Sequence, residues 1–379
     1  KKCYVMLDSG GFQLGRGKDE DVEKYNAKIV LPWSESNGDM FPIIDYPLVN
    51  EYNRTFDDSL KFTVRNGEYY KKHRKKKGIR ILNVIQGREL DEIDAWFDGV
   101  KHLNNGKGGL DGRAIGGQSK NPCGYIYAIR KLYKAGEFSK NKMSWVHVFG
   151  TTSFENMLYL SVIQKCLNKL TNNGVQVSYD SATQCHTAKF GKLMDAQPNL
   201  SRFIKDGGDL PVVFSDLCES IDKFRYIHLS KNFNQKFVKK DTPLPFPYSP
   251  ITAGITDSKE FCDGNFVIKK NKNGKSVRLS TKQRRLKVAH FLLGVNHNLW
   301  MIIQQKELFD NLVFWQDEQV INNSIGNELK INVNVIKEIF TKKELRKVYT
   351  MKRENILEAF NTRLKKKFFG SSNLFQERI

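Results

Sequence analysis

Three aspartates each close a short apolar run in this chain. "CYVML" leads into Asp8-Ser9-Gly10-Gly11-Phe12, "FPII" into Asp45, and "VSY" into Asp180. Three more apolar runs end in an amide or in glycines: "ILNVI" in Gln86-Gly87, "RAI" in Gly116-Gly117, and "HVF" in Gly150-Thr151. Singly, these are ordinary turn formers. Together they share one position, and side chains that follow the strands of a parallel α/β barrel collect at one mouth. Carboxylates, an amide and bare glycine backbone suit a flat, polar heterocycle approached closely by N–H and C=O groups. A phosphate site would place Lys, Arg or a helix N-terminus there.

The apolar runs themselves predict strands at 3–7, 41–44, 79–85, 113–116, 144–149 and 175–179. Helical patterns fill the gaps at 57–76, 89–104, 121–135 and 153–172. Asn121-Pro122 and Ser153 punctuate two helix starts, and Gly174 a helix end. Alternating strands and helices mean a parallel sheet. Repeats of roughly 30 residues match the pace of a (β/α)8 barrel. The expected fold is α/β, a TIM (β/α)8-type barrel over 1–200; six units are two short of eight, so either two precede residue 1, or the barrel is incomplete, or the sheet is open. An irregular insertion follows over 201–280, rich in Gly, Asp, Pro and then Lys, and a basic helical subdomain over 281–379. In the latter, Val288, Phe291, Leu292, Val295, Leu299 and Ile302 recur at steps of three and four and predict one apolar helix face.

Across 379 residues the formal charge is +21, from 62 Lys+Arg against 41 Asp+Glu. That surplus favours a polyanionic partner such as nucleic acid. No run of 18 or more apolar residues suggests a membrane span. The six cysteines, Cys3, Cys123, Cys166, Cys185, Cys218 and Cys262, are scattered, as in a reduced cytoplasmic protein.

In order along the chain, "LDSGGFQ", "FPIID", "VIQG", "AIGG", "VFG" and "YD" resemble the motifs of the tRNA-guanine transglycosylases. "AHFLLGVNHNLWMI" at 289–302 is similar to that family's late helix. The resemblance covers roughly 3–190 and 280–310. It implies a barrel enzyme, a pentosyltransferase that exchanges guanine for a 7-deazaguanine base within a nucleic acid. By the same resemblance Asp180 is the nucleophile and Asp8 the general acid/base. Ser9, Gly10, Gly11, Phe12, Asp45, Gln86, Gly116 and Gly117 surround the base. Such exchange with retention takes two displacements, as in retaining glycosidases.

The family's tRNA enzymes bind a structural zinc through a Cys-x-Cys-x-x-Cys run and a histidine of the late helix. His297 stands at that histidine, but no such cysteine run precedes it, and Cys262 alone does not make a zinc site. No cofactor is therefore expected. The reworked zinc region and the Lys- and Asn-rich composition resemble the DpdA-type enzymes of phages and bacterial islands. These place 7-deazaguanine bases in DNA and protect it from restriction, which makes DNA the expected partner and the cytoplasm the setting, the host's if a phage encodes the chain. The alternative is tRNA; a homodimeric or accessory partner is left open. Lys282, Arg284, Arg285 and Lys287 begin the late helix and are the expected backbone contacts. "KKHRKKK" at 71–77 reads either as a helix end meeting its dipole or as a phosphate contact. His147 reads as a core residue or one that backs the site. Two rivals remain: a glycoside hydrolase using paired carboxylates, and an inactive nucleic-acid-binding subunit. The first leaves Gln86 and Gly116-Gly117 without a task, and the second should have lost Asp8 or Asp180.

Overall fold

The computed structural model describes residues 4–11, 26–48, 55–117, 122–138, 145–189, 192–195, 225–228, 281–324 and 327–341. The chain forms two compact units, one of Lys1–Thr151, Val162–Asp180 and Asn334–Ile379, the other of Thr152–Ser161 and Ser181–Val333.

Five parallel strands make the sheet of the first unit: β1 (Met40–Pro42), β2 (Arg80–Ile85), β3 (Gly112–Ile115), β4 (Trp145–Val148) and β5 (Gln176–Tyr179). Their spatial order is their chain order, with each strand parallel to the next. The crossovers are α2 (Phe56–His73), α3 (Leu90–Val100), α4 (Pro122–Lys134) and α5 (Phe154–Thr171), preceded by α1 (Ala27–Asn37). Phe41, Leu82, Val84, Ala114, Val146 and Val148 are fully buried, as strands covered on both faces require.

The helix ends are set locally. At α2, Thr55 Oγ1 accepts from Asp58 N–H at 3.1 Å, with Asp57 and Asp58 in the first turn and Lys71, Lys72 and His73 in the last. Acidic starts and basic ends both complement the helix dipole. Pro122 opens α4, and Ser153 Oγ accepts from Asn156 N–H at 3.4 Å ahead of α5. After α5 the left-handed residues are Asn172 and Asn173, not Gly174. Helix α1 has no counterpart in the sequence expectations; Asn26 caps it despite the internal Pro32.

The sheet is curled. The Tyr4 ring lies 6.3 Å from Trp145 of β4, and the Arg80 guanidinium of β2 sits 5.6 Å and 5.3 Å from the two rings. Only a concave sheet brings a residue beside the β1 edge to one on β4, three strands away. The strand expected at 3–7 is a single parallel bridge, Met6 to Met40, with Leu7 N–H donating to Met40 O at 2.9 Å. The architecture is thus an α/β half-barrel of five parallel strands with helices.

The basic run at 71–77 has a structural task. Lys71 Nζ donates to Asn105 O at 2.5 Å, and Arg74 pairs with Asp111 at 2.9 Å. Buried Glu35 accepts from the N–H groups of Lys75 and Lys76 at 2.8 Å and 3.1 Å. This run precedes β2, so it stands at the strands' amino ends, away from the carboxyl-end residues.

In the second unit, α6 (Thr183–Lys189) and α7 (Thr281–Trp315) pack together, and β6 (Lys192–Asp195) pairs antiparallel with β7 (Arg225–His228). The apolar face expected on α7 is buried only in part: Ile302 is buried and Val295 half-buried. Phe291, Leu292 and Leu299 are exposed, whereas His297, Asn298, Met301, Gln305 and Phe309 are buried. A helix with apolar residues all round gives no unique face from periodicity. The expected insertion, apart from β7, lies outside the described residues. Among the described residues no helix is long and apolar enough to cross a membrane.

Candidate active site

Two clusters stand at the carboxyl ends of the curled sheet. The first is built around Asp45, three residues past the end of β1. That segment is pinned from behind: Thr63 Oγ1 of α2 accepts from Tyr46 N–H at 3.2 Å, and Asn66 Nδ2 donates to Ile44 O at 3.1 Å. Asp45 is only 6 % exposed, and its Oδ2 accepts from Gln86 Nε2, just beyond β2, at 2.6 Å. Ser9, which is buried, and the more exposed Asp8 lie close enough to act on the same carboxylate.

Glycines close the cluster because nothing larger fits. A Cβ on Gly11 would lie 2.5 Å from Asp45 Oδ1 and 2.8 Å from Asp45 O. One on Gly116, after β3, would run into the Gln86 amide nitrogen, and one on Gly117 would come within 2.9 Å of Gln86 Oε1. The Asp45–Gln86 pair is thereby walled by backbone on two sides, and Gly10 N–H donates to Asp8 Oδ1 at 3.3 Å. Phe12 lies outside the described residues.

Burial pushes the Asp45 carboxyl up to about 6, and the Asp8 charge adds to it, against the hydrogen bonds from Gln86 and Ser9. A carboxyl raised in the folded state contributes stability that is present below its unfolded value near 3.8 and lost as pH rises through about 6. Ionised Asp45 therefore costs about 3 kcal/mol at pH 8. Asp45→Asn is expected to unfold at higher urea than the parent at pH 8, and with no such gain at pH 4. Equal gains at both values would refute this origin.

The second cluster holds Asp180, one residue past β5. Its side chain is 57 % exposed, and Oδ1 accepts from Gly150 N–H at 3.0 Å, with His147 Nε2 at 3.4 Å. Thr151 N–H donates to the Asp180 carbonyl at 2.6 Å and ties the ends of β4 and β5 together. Partial burial raises its pKa, but the His147 hydrogen bond and charge and the Gly150 N–H outweigh that and hold it below the ordinary value. The two clusters thus differ in kind: a buried carboxyl paired with an amide, and an open carboxylate that stays ionised at neutral pH.

Of the residues the sequence singled out, the structure brings together Ser9, Gly11, Asp45, Gln86, Gly116 and Gly117, with Asp8 and Gly10 beside them. Asp180 stands at the same end of the sheet with Gly150. Lys282, Arg284, Arg285 and Lys287 fall on α7, but their side chains lie outside the described residues. His297 is fully buried, and Asn298 beside it donates to Gln184 O of α6 at 3.2 Å. Among the described residues no group of three His, Cys, Asp or Glu could hold a metal ion; Cys262 lies outside them. Ser178 is the residue that sequence reasoning missed, whereas His147, read as core or as backing the site, is buried beside Asp180. The signal for Ser178 was strand alternation, which puts 178 and 180 on a common face.

An α/β half-barrel with paired polar clusters at its carboxyl ends is the class that fold and site define. No protein-family model matches the chain, and no curated protein matches it.

Proposed function

We propose that this protein is a guanine transglycosylase of DNA, which exchanges guanine for a 7-deazaguanine base through a covalent glycosyl–Asp180 intermediate. The fold proposed with it is a complete (β/α)8-type barrel, of which the curled five-strand sheet is the described part. One observation carries the proposal. An open, ionised Asp180 and a buried Asp45–Gln86 pair walled by glycine backbone occupy the carboxyl ends of one parallel sheet. The motif order that resembles the tRNA-guanine transglycosylases supports the same assignment, and the +21 charge suits a nucleic acid.

Each residue then has a task. The target nucleotide leaves its stack, at a cost of a few kcal/mol. Asp45 accepts from guanine N1–H and the exocyclic amine, and the second hydrogen of Gln86 Nε2 donates to O6. Asp180 forms a bond to C1′ as the C1′–N9 bond breaks, its electron pair leaving with guanine. Asp8 as the acid supplies the proton that the departing base takes up. The incoming base returns that proton to Asp8 as its N9 bonds C1′, and Asp180 is released. Two inversions give net retention without strand scission. No step needs a metal or a cofactor.

The test is release of labelled guanine from duplex DNA incubated with the full chain and 7-cyano-7-deazaguanine, with labelled tRNA in parallel. Release from DNA and not from tRNA is the expected result. Release from tRNA alone would assign the substrate to RNA, and release from neither would overturn the proposal.

A further inference from the structure

The hydrogen bonds behind Asp180 define a direction. The register of β4 and β5 pairs His147 with Ser178 and Trp145 with Gln176. Trp145 Nε1–H, which can only donate, reaches Ser178 Oγ at 2.7 Å, and Ser178 Oγ stands 2.8 Å from His147 Nδ1. The Ser178 hydroxyl thus accepts from the indole and can turn its own hydrogen to Nδ1. In the neutral imidazole that leaves the single proton on Nε2, 3.4 Å from Asp180 Oδ1. In the protonated ring both nitrogens donate, and Ser178 Oγ still has a lone pair for Nδ1–H. Both states aim Nε2–H at the carboxylate.

His147 has little freedom to turn away. It is 2 % exposed, and its ring meets Phe149 edge-on at 4.7 Å and 71°. The second donor, Gly150 N–H, reaches the same Oδ1 at 3.0 Å. Asp180's own N–H also bonds its carboxylate, and His147 is the titratable group that acts on it.

We propose that His147 is a positioning residue for Asp180: with Gly150 N–H it occupies Oδ1 and so leaves Oδ2 as the atom that attacks C1′. This rests on the transglycosylase function proposed above and deepens it. In the first half-reaction the Oδ2–C1′ bond forms as C1′–N9 breaks with its pair to N9. In the second, Oδ2–C1′ breaks and its pair returns to the carboxylate. The Nε2–H then meets charge that is reappearing, so His147 matters most for release of the sugar from Asp180.

His147→Leu removes the donor, and His147→Gln keeps an amide N–H at a reach similar to Nε2. His147→Leu is expected to lower kcat on the order of 10²-fold with little change in KM. It should also raise the fraction of protein found covalently attached to nucleic acid at steady state, and His147→Gln should restore most of both. An unchanged kcat and adduct fraction in His147→Leu would overturn the inference, as would equal losses in both variants with no adduct build-up.

A readout independent of turnover separates this inference from the function it rests on. The Asp180 carboxyl, labelled with carbon-13 and assigned by its absence in Asp180→Asn, is titrated in the full chain. Its midpoint is expected to rise in His147→Leu. If the parent protein exchanges no base, the proposed function fails, and the titration still decides. A raised midpoint upholds the His147–Asp180 contact, and an unmoved one removes it.

Discussion

Asp180→Asn leaves a folded protein that exchanges no base: the expected loss is more than about 10³-fold. The substitution is mild by construction. The side chain is 57 % exposed, and the two donors on Oδ1, Gly150 N–H and His147 Nε2, are met equally well by an amide oxygen. What changes is the other atom, where an amide nitrogen with no usable lone pair replaces Oδ2. Urea unfolding within experimental error of the parent, together with the lost exchange, is the expected pair of results. Asp45→Asn should behave differently, because it spares the nucleophile and weakens recognition of the base. Its loss falls on KM more than on the trapped intermediate. Retained exchange in Asp180→Asn would show that another group forms the bond to C1′.

Glu137→Ala is expected to cost about 3–5 kcal/mol of stability, measured as a lower urea midpoint. Arg113 lies in the middle strand of the five, and its side chain is fully buried. Nε donates to Glu137 Oε2 at 3.0 Å and Nη2 donates to Oε1 at 2.8 Å, while the Phe97 ring lies 5.3 Å from the guanidinium. Among the described residues Nη1 has no hydrogen-bond partner, so the bidentate pair is what offsets the cost of burying this charge. Removing Glu137 strands a guanidinium in the core, and β3 cannot leave the sheet to solvate it. Replacing both residues, as Arg113→Met with Glu137→Leu, should return most of the loss, because the charge goes with its partner. A single variant as stable as the parent would show that the pair contributes nothing.

Much of the half-barrel was legible because it is written locally. Val, Ile and Leu runs bounded by glycine and polar residues marked β2 to β5 to within a residue or so, and Pro122 and Ser153 sit where helices begin. The carboxyl-end residues were legible for the same reason, since a side chain just past a strand end has one place to be. Three features were not local. The 3–7 segment shrank to one bridge at Met6, because an edge segment keeps only the pairing its single neighbour allows. The α7 face misled in part because apolar residues stand on several sides of the helix: Ile302 is buried as expected, but Phe291, Leu292 and Leu299 are exposed, and the buried side carries His297, Gln305 and Phe309. The link from Trp145 through Ser178 and His147 to Asp180 depends on the β4–β5 register, which no stretch of either strand specifies by itself.

The covalent intermediate offers the most direct measurement. The full chain is incubated with guanine-containing duplex DNA, quenched in acid, digested with nuclease and trypsin, and weighed by mass spectrometry. Cleavage after lysine releases residues 170–189, a peptide in which Asp180 is the only carboxylate side chain. A deoxyribose-linked mass increment on that peptide, absent from Asp180→Asn, is the predicted result. An increment on any other peptide, or base exchange with no adduct at all, would contradict the account.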